Sequence, residues 1–394
     1  MEKHKHPKDM SEARAALLVA LIWLAGLGAA AQYGKISVTF TVLAGLYPEG
    51  GALIGFALSL VGFVGIALGV VAGFLGTRIG MRRCLIGGLG FGALLSFVQA
   101  SGLSLEAFLA SRVLEGLSHL AIVVAAPTLI ARIAPDRWRG FAMTLWGTFF
   151  GVAFSLLVWL GLPLVDVAGL DALFLAHGIW MAVFALILVF VRLPSGEAAK
   201  PQAFDLKDIA TLHLAIYRSP SLSAAAVGWL FYTFCFVSLL TLLPPEIPPA
   251  WRAFTVGMMP LMSIVGSLTL GVWLLRYMDA VGVTVIGFAS TAMVVLGLWL
   301  LPGAPVLCLA LGFTLGLVQG AGFTMVPQLN AAEADRAAAN GAMAQTGNLG
   351  NTLGTPVMLA VGTVAGYGGM MALALTMLLL GAIAHLVLQR MRRA

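Results

Sequence analysis

Charge is scarce in this chain. Lys and Arg together number 22 and Asp and Glu 16 in 394 residues, so 10% of positions are charged. A soluble globular domain carries about 25%, and a water-dissolved fold is excluded. Cysteine is almost absent as well. Cys84, Cys235 and Cys308 sit in separate apolar runs, odd in number and without metal-ligand spacing, and read as core fillers. The sequence holds no Ser-His-acid set, no phosphate-cradling glycine loop before a Lys-Ser/Thr pair and no His/Asp/Cys cluster. An enzyme, a bound cofactor or metal, and an ATP-driven machine are not expected, and any energy source is expected to be an ion gradient. The net charge of +6 invites a nucleic-acid partner, but no basic cluster with interleaved aromatics is present. Basic residues collect at the cytoplasmic ends of membrane helices.

What the chain has is apolar length. Hydrophobic residues make up 60%, with a mean hydropathy of +1.01. A span needs about 20 apolar residues. Twelve candidates are read: 15–46, 50–73, 84–101, 104–133, 140–162, 171–193, 221–244, 253–275, 281–301, 304–327, 341–365 and 368–389. The first exceeds the hydrocarbon thickness, and Ser37–Leu46 is expected to tilt or emerge. The basic start (Lys3, Lys5, Lys8), the apolar run from Ala15 and the small residues Ala29–Ala31 imitate a signal peptide. With so many spans downstream, an uncleaved first helix is expected. With the N-terminus inside, only Arg252 of all the Lys and Arg falls in an outer loop, and only Lys35 and Arg112 fall within spans away from their cytoplasmic ends. This asymmetry supports twelve spans and cytoplasmic termini.

The organisation expected is a tail 1–14, a six-helix bundle 15–193, a cytoplasmic linker 194–220, a second six-helix bundle 221–389 and a tail 390–394. Within the linker, Phe204–Tyr217 is mildly amphipathic and reads as a helix on the membrane surface. The halves repeat weakly. Gly73 and Arg78 recur as Gly271 and Arg276, and Ala142, Met143 and Gly147 recur as Ala342, Met343 and Gly347.

Between the second and third spans lies Gly73–Arg83, with three arginines and three glycines in eleven residues. It resembles the signature of the major facilitator superfamily, Gly-x-Leu-Ala-Asp-Arg-x-Gly-(Arg/Lys)-(Arg/Lys). Gly73, Leu75, Arg78, Gly80 and Arg82 match. Thr77 replaces the acidic residue and Met81 the first basic one. Leu109–Gly116 is similar to the family's fourth-helix motif, Leu-x-x-x-Arg-x-x-Gln-Gly; Arg112 and Gly116 match and Glu115 replaces a glutamine. The resemblance implies an all-α membrane protein of two pseudo-symmetric bundles, a monomer, with a central cavity and alternating access. It implies a cytoplasmic gate at Gly73, Arg78, Gly80 and Arg82. The turn 134–140 resembles the family's loop before the fifth helix, which implies that Arg137 and Arg139 join that gate by meeting the opposite half. With Thr77 in place of the acid, a weaker latch is expected.

An ionisable group inside the membrane is a functional hypothesis by default. Arg112, Glu115 and His119 share one face of the fourth span. They form either a self-neutralising pair or a proton site, with Glu115 the carrier, Arg112 its modulator and His119 a relay. Gln32, Lys35 and Thr39 share a face of the first span, which the resemblance places along the central cavity. If Lys35 faces it, the excess positive charge favours an organic anion; otherwise Lys35 snorkels outward. In the second half Trp229 and Tyr232 either pack or stack on a ligand. Gln319, Gln345 and Asn348 either bond between helices or line the site. His177 and Asp171 read as interfacial. The expected activity is proton-coupled transport of a small organic solute across an inner membrane. Two alternatives are efflux of amphipathic compounds and a non-transporting receptor. The fifth span has Gly147 and Gly151 but lacks the Gly-Pro pair usual in drug/proton antiporters of this family, which counts against efflux.

Overall fold

The computed structural model describes residues 10–193 and 206–393. Every regular element among them is helical. Ten helices are long and apolar enough to cross a membrane. They are α1 (Glu12–Val38), α3 (Met81–Gln99), α4 (Leu105–Ile133), α5 (Asp136–Ala168), α6 (Leu170–Phe190), α7 (Ala224–Leu242), α8 (Pro249–Leu274), α9 (Ala280–Leu300), α10 (Pro305–Leu329) and α11 (Glu333–Arg393). The helix α2 (Phe56–Ile79) has a shorter apolar stretch, Phe56–Ala72. Lys3, Lys5, Lys8 and the linker's 194–205 lie outside the described residues.

Local chemistry sets the helix ends. Ser104 caps α4 by accepting from the Ala107 amide at 3.3 Å, and Asp279 caps α9 through Gly282 at 2.7 Å. The α2–α3 turn pivots on Gly80, whose φ of 94° only glycine adopts at little cost. Gly366 (φ 64°, ψ −166°) divides α11 into two arms, at the break read between 365 and 368.

Several boundaries differ from expectation; the second span, read as 50–73, is helical over Phe56–Ile79 after a 3-10 stretch at Pro48–Gly55. The first span is not helical through Leu46. Thr39 leaves helical geometry, its hydroxyl donating to the Lys35 carbonyl at 2.5 Å, and a separate short helix, Phe40–Leu46, follows. The fifth span does not stop at 162. Just ahead of Pro163 the helix widens into a π-type turn, Leu157–Gly161, which accommodates a residue with no amide to donate.

The linker also differs. The helix Leu206–Arg218 does not simply lie on a membrane surface. Ile216 is buried with Val70, Ala226 and Ala342. Tyr217 donates its hydroxyl to Gln345 at 2.7 Å, while Gln345 donates to the Ile66 carbonyl at 2.6 Å. The linker helix is thus docked where α2 meets the first arm of α11. The halves also meet where α5 packs on α8 and α10.

Candidate functional site

Three arrangements bear on function: a sealed charge network, a central cavity, and a set of bonds joining the two halves.

The network is built on α1, α3, α4 and α6. Lys35, Arg112 and Glu115 have no solvent exposure. The Lys35 ammonium has three donors, and three acceptors meet them: Glu115 Oε1 at 2.7 Å, Gln99 Oε1 at 2.7 Å and Ser96 Oγ at 2.9 Å. Glu115 Oε2 accepts from Arg112 and from Gln99 at 2.9 Å. The rest of the Arg112 guanidinium donates to the carbonyls of Ala57 and Gln32, each at 2.8 Å. Ser96 lies 2.6 Å from His177 Nδ1, and His177 Nε2 lies 2.9 Å from the Gly28 carbonyl. A carbonyl only accepts, so Nε2 carries the hydrogen and Nδ1 accepts from Ser96. Two cations and one anion leave one net positive charge, wholly inside the protein. Such a triad survives away from water because its polar atoms are paired.

The cavity lies between the halves, has a volume of about 90 Å³ and is open in part to solvent. Trp146, Phe149 and Phe150 line it from α5, Trp229, Tyr232 and Phe236 from α7, and Phe323 from α10. Trp229 packs on Tyr232 and on Phe323 with ring centroids 4.7 Å apart in each pair. Gln319, Asn340, Asn348 and Asn351 add carboxamides, and His119 borders it from α4. No Lys, Arg, Asp or Glu lines it among the described residues.

The residues singled out in the sequence divide accordingly. Trp229, Tyr232, Gln319, Asn348 and His119 line the cavity. Lys35, Arg112 and Glu115 meet one another in the network. Gln32 joins its edge, donating to Ser118 at 2.8 Å, and Thr39 bonds only backward to Lys35. Gln345 lies at the linker-helix junction. His177 is not interfacial: it is buried, held by Ser96 and Gly28.

The bonds between halves were not the ones expected. Arg137 pairs with Glu12, and Arg139 pairs with Asp136 at 2.5 Å and donates to the Ala131 carbonyl. Both pairings stay within the amino-terminal half, because each arginine finds an acid on its own helix or on α1. Arg82 caps the end of α6, donating to the Leu188 and Val189 carbonyls. Gly73 and Arg78 lie in α2 and Gly80 in the turn after it. The halves are joined instead by Arg132 with Glu333, Asn340 with Thr128 (3.0 Å), Thr144 with Thr324 (3.3 Å), Gln319 with the Gly147 carbonyl, and Tyr33 with Asn348 (2.5 Å). None of Ser96, Gln99, Tyr33, Arg132 or Glu333 was singled out from sequence. The i, i+3 spacing of Ser96 and Gln99 inside an apolar helix is the one signal that was present.

An all-helical membrane-spanning scaffold with a cavity between two halves defines a class of carriers. The sequence profile of the Major Facilitator Superfamily matches residues 18–355, and this chain belongs to that superfamily, a family of transporters and not of enzymes. It is similar to the Inner membrane transport protein YajR of Escherichia coli K12, 32% identical over 31% of this chain and 27% of that protein. It is also similar to the 4-hydroxybenzoate transporter PcaK of Pseudomonas aeruginosa PAO1, 30% identical over 34% and 30%. The matched stretches span under a third of either relative. Among solved structures, the human organic anion transporter MFSD10 (TETRAN) superposes with a TM-score of 0.77 at 19% identity, over 95% of this chain and all of that one.

Proposed function

We propose that this protein is a secondary transporter that carries a small organic solute through the cavity by alternating access. It crosses the inner membrane twelve times, counting α2 and both arms of α11, with both termini cytoplasmic. Residues 15–193 and 221–389 are the two moving bundles, and residues 194–220 the cytoplasmic linker between them. It works as a monomer, coupled to protons, with no cofactor.

The observation that carries this reading is the cavity itself. It lies where the halves meet and is contributed by both, and rings and carboxamides without fixed charge line it. An apolar pocket with a few convergent polar groups is the usual form of a small-molecule site. The solute is an aromatic or otherwise flat compound, stacked against Trp229 and Tyr232. An organic anion is preferred; PcaK and MFSD10 carry such substrates in their names. Glu115, held by Lys35, Arg112 and Gln99, serves as the keystone of the amino-terminal bundle and not as the travelling proton site. Lys35 acts through the network and not on the solute.

Counterflow in proteoliposomes loaded with benzoate tests the reading. Exchange of labelled benzoate that an opposing pH gradient drives uphill supports it. Retention of the label at the empty-liposome rate, with every aromatic solute tried, contradicts it. Efflux of amphipathic compounds is the second reading, favoured by the uncharged aromatic lining. It predicts exchange of neutral aromatic amides and none of benzoate.

A further inference from the structure

We propose that His119 is the group through which the proton and the solute's charge are read together. Its imidazolium form receives the carboxylate of an aromatic acid in the cavity, and its neutral form lets that acid go. The inference rests on the cavity being the solute site and assigns the residue and the solute class.

Among the described lining residues, His119 and Tyr232 are the ones that titrate at all. A phenol titrates near pH 10 and an imidazole near 6.5, so of the two side chains the imidazole is the one whose ordinary range lies near neutrality. Its ring is fixed. Nδ1 lies 3.0 Å from the Ala29 carbonyl and donates to it. Nε2 is therefore bare in the neutral ring and an N–H donor in the charged one. The ring is edge-on to Tyr33, centroids 5.0 Å apart.

The charges around it make binding cooperative. On its own helix stand Glu115 one turn away and Arg112 beyond it; Tyr33 faces it from α1, while Lys35 is turned to Glu115 and lies 3.3 Å from His177 of α6. Across the cavity α5, α7, α10 and α11 present Phe150, Tyr232, Phe323 and Asn348, all uncharged at neutral pH. The network already holds one unbalanced positive charge. A proton on Nε2 adds a second, which is unfavourable alone. A carboxylate entering the cavity cancels it, while the solute's ring stacks in the Trp229–Tyr232–Phe323 corner. Each ligand raises the affinity for the other, as linkage requires. No covalent step is involved: the proton bonds to Nε2 and leaves from it.

The test uses the full-length protein in detergent or nanodiscs, with benzoate and the uncharged benzamide as probes. Calorimetry measures their affinity from pH 6 to 8.5. Ordinary carboxyl groups ionise near pH 4, so benzoate stays charged throughout. The expected result is benzoate binding that weakens about tenfold per pH unit above the imidazole pKa, with uptake of about one proton per benzoate bound in weak buffer. Benzamide binding should be flat. His119→Gln, its fold certified by monodisperse elution and a wild-type thermal unfolding curve, should lose the benzoate slope. A flat benzoate profile in the wild type overturns the proposal and leaves the cavity reading standing. A slope that persists in His119→Gln overturns it too. Failure of both probes to bind the wild type overturns it; the cavity reading is then judged separately, by whether a thiol reagent reaches Asn348→Cys.

Discussion

The two halves handle polarity in opposite ways. The amino-terminal half buries Lys35, Arg112 and Glu115 and ties them to Ser96, Gln99 and His177. The carboxy-terminal half buries no Asp, Glu, Lys or Arg among the described residues. Its interior polarity is hydroxyl and carboxamide with one imidazole, His385, and its contribution to the cavity is largely rings. The difference teaches that a charge within a membrane helix need not line the cavity between the halves. A charge can be kept because it holds one bundle rigid, while rings from both bundles line the cavity between them.

The comparison breaks hardest at Glu115. Glu115→Gln leaves Lys35 and Arg112 facing each other without an anion. Removing one partner of a buried ion pair costs about 3–5 kcal/mol. Thermal unfolding in detergent should fall well below wild type, and Glu115→Gln with Lys35→Met should recover part of the loss. Wild-type stability in the single variant would mean that water already reaches the carboxylate.

The opposite half is tested at Trp229. Trp229→Ala removes stacking of about 0.5–1.5 kcal/mol beyond the lost contact area. Affinity for an aromatic probe should fall about tenfold while the folded protein persists. Unchanged affinity would move the solute out of the aromatic corner.

The joints between halves come next. Arg132 and Glu333 are partly exposed, and an ion pair of this kind contributes on the order of 1 kcal/mol or less. Glu333→Gln should leave stability nearly unchanged and shift access to the cavity. Cysteine labelling at Asn340→Cys, from the side of the membrane that the pair closes, reads this as a several-fold faster rate.

The smallest effect is expected at the linker helix. Tyr217→Phe removes the hydroxyl given to Gln345, a bond contributing about 0.5–1.5 kcal/mol. Limited proteolysis near Arg218 should quicken two- to fivefold, with solute affinity unchanged.

Much of the fold is legible in apolar run length. The break at Gly366, the turn at Gly80 and most of the ten long apolar helices fall where composition predicts. The fifth span was read only to 162, and the widened turn at Leu157–Gly161 just before Pro163 cannot be seen from sequence. The site was legible in part. Helical spacing groups Arg112 with Glu115, and Gln32 with Lys35. It does not say which neighbour each face meets. α1 is apolar all round, so periodicity could not tell its cavity edge from its packed edge. Tyr33, one position from Gln32, reaches Asn348 across the interface, while Lys35 turns inward to α3 and α4. The partners that seal the network, Ser96, Gln99 and His177, are remote in sequence from Lys35. Only packing brings them there.

The most direct measurement is paired cysteine labelling in a background lacking Cys84, Cys235 and Cys308. Asn348→Cys and Ser111→Cys are each treated with a charged thiol reagent, with and without benzoate. The account predicts rapid labelling at Asn348→Cys, slowed by benzoate, and no labelling at Ser111→Cys beside the Gln99–Glu115 contact. Labelling and benzoate protection at Ser111→Cys, with Asn348→Cys inert, would contradict it.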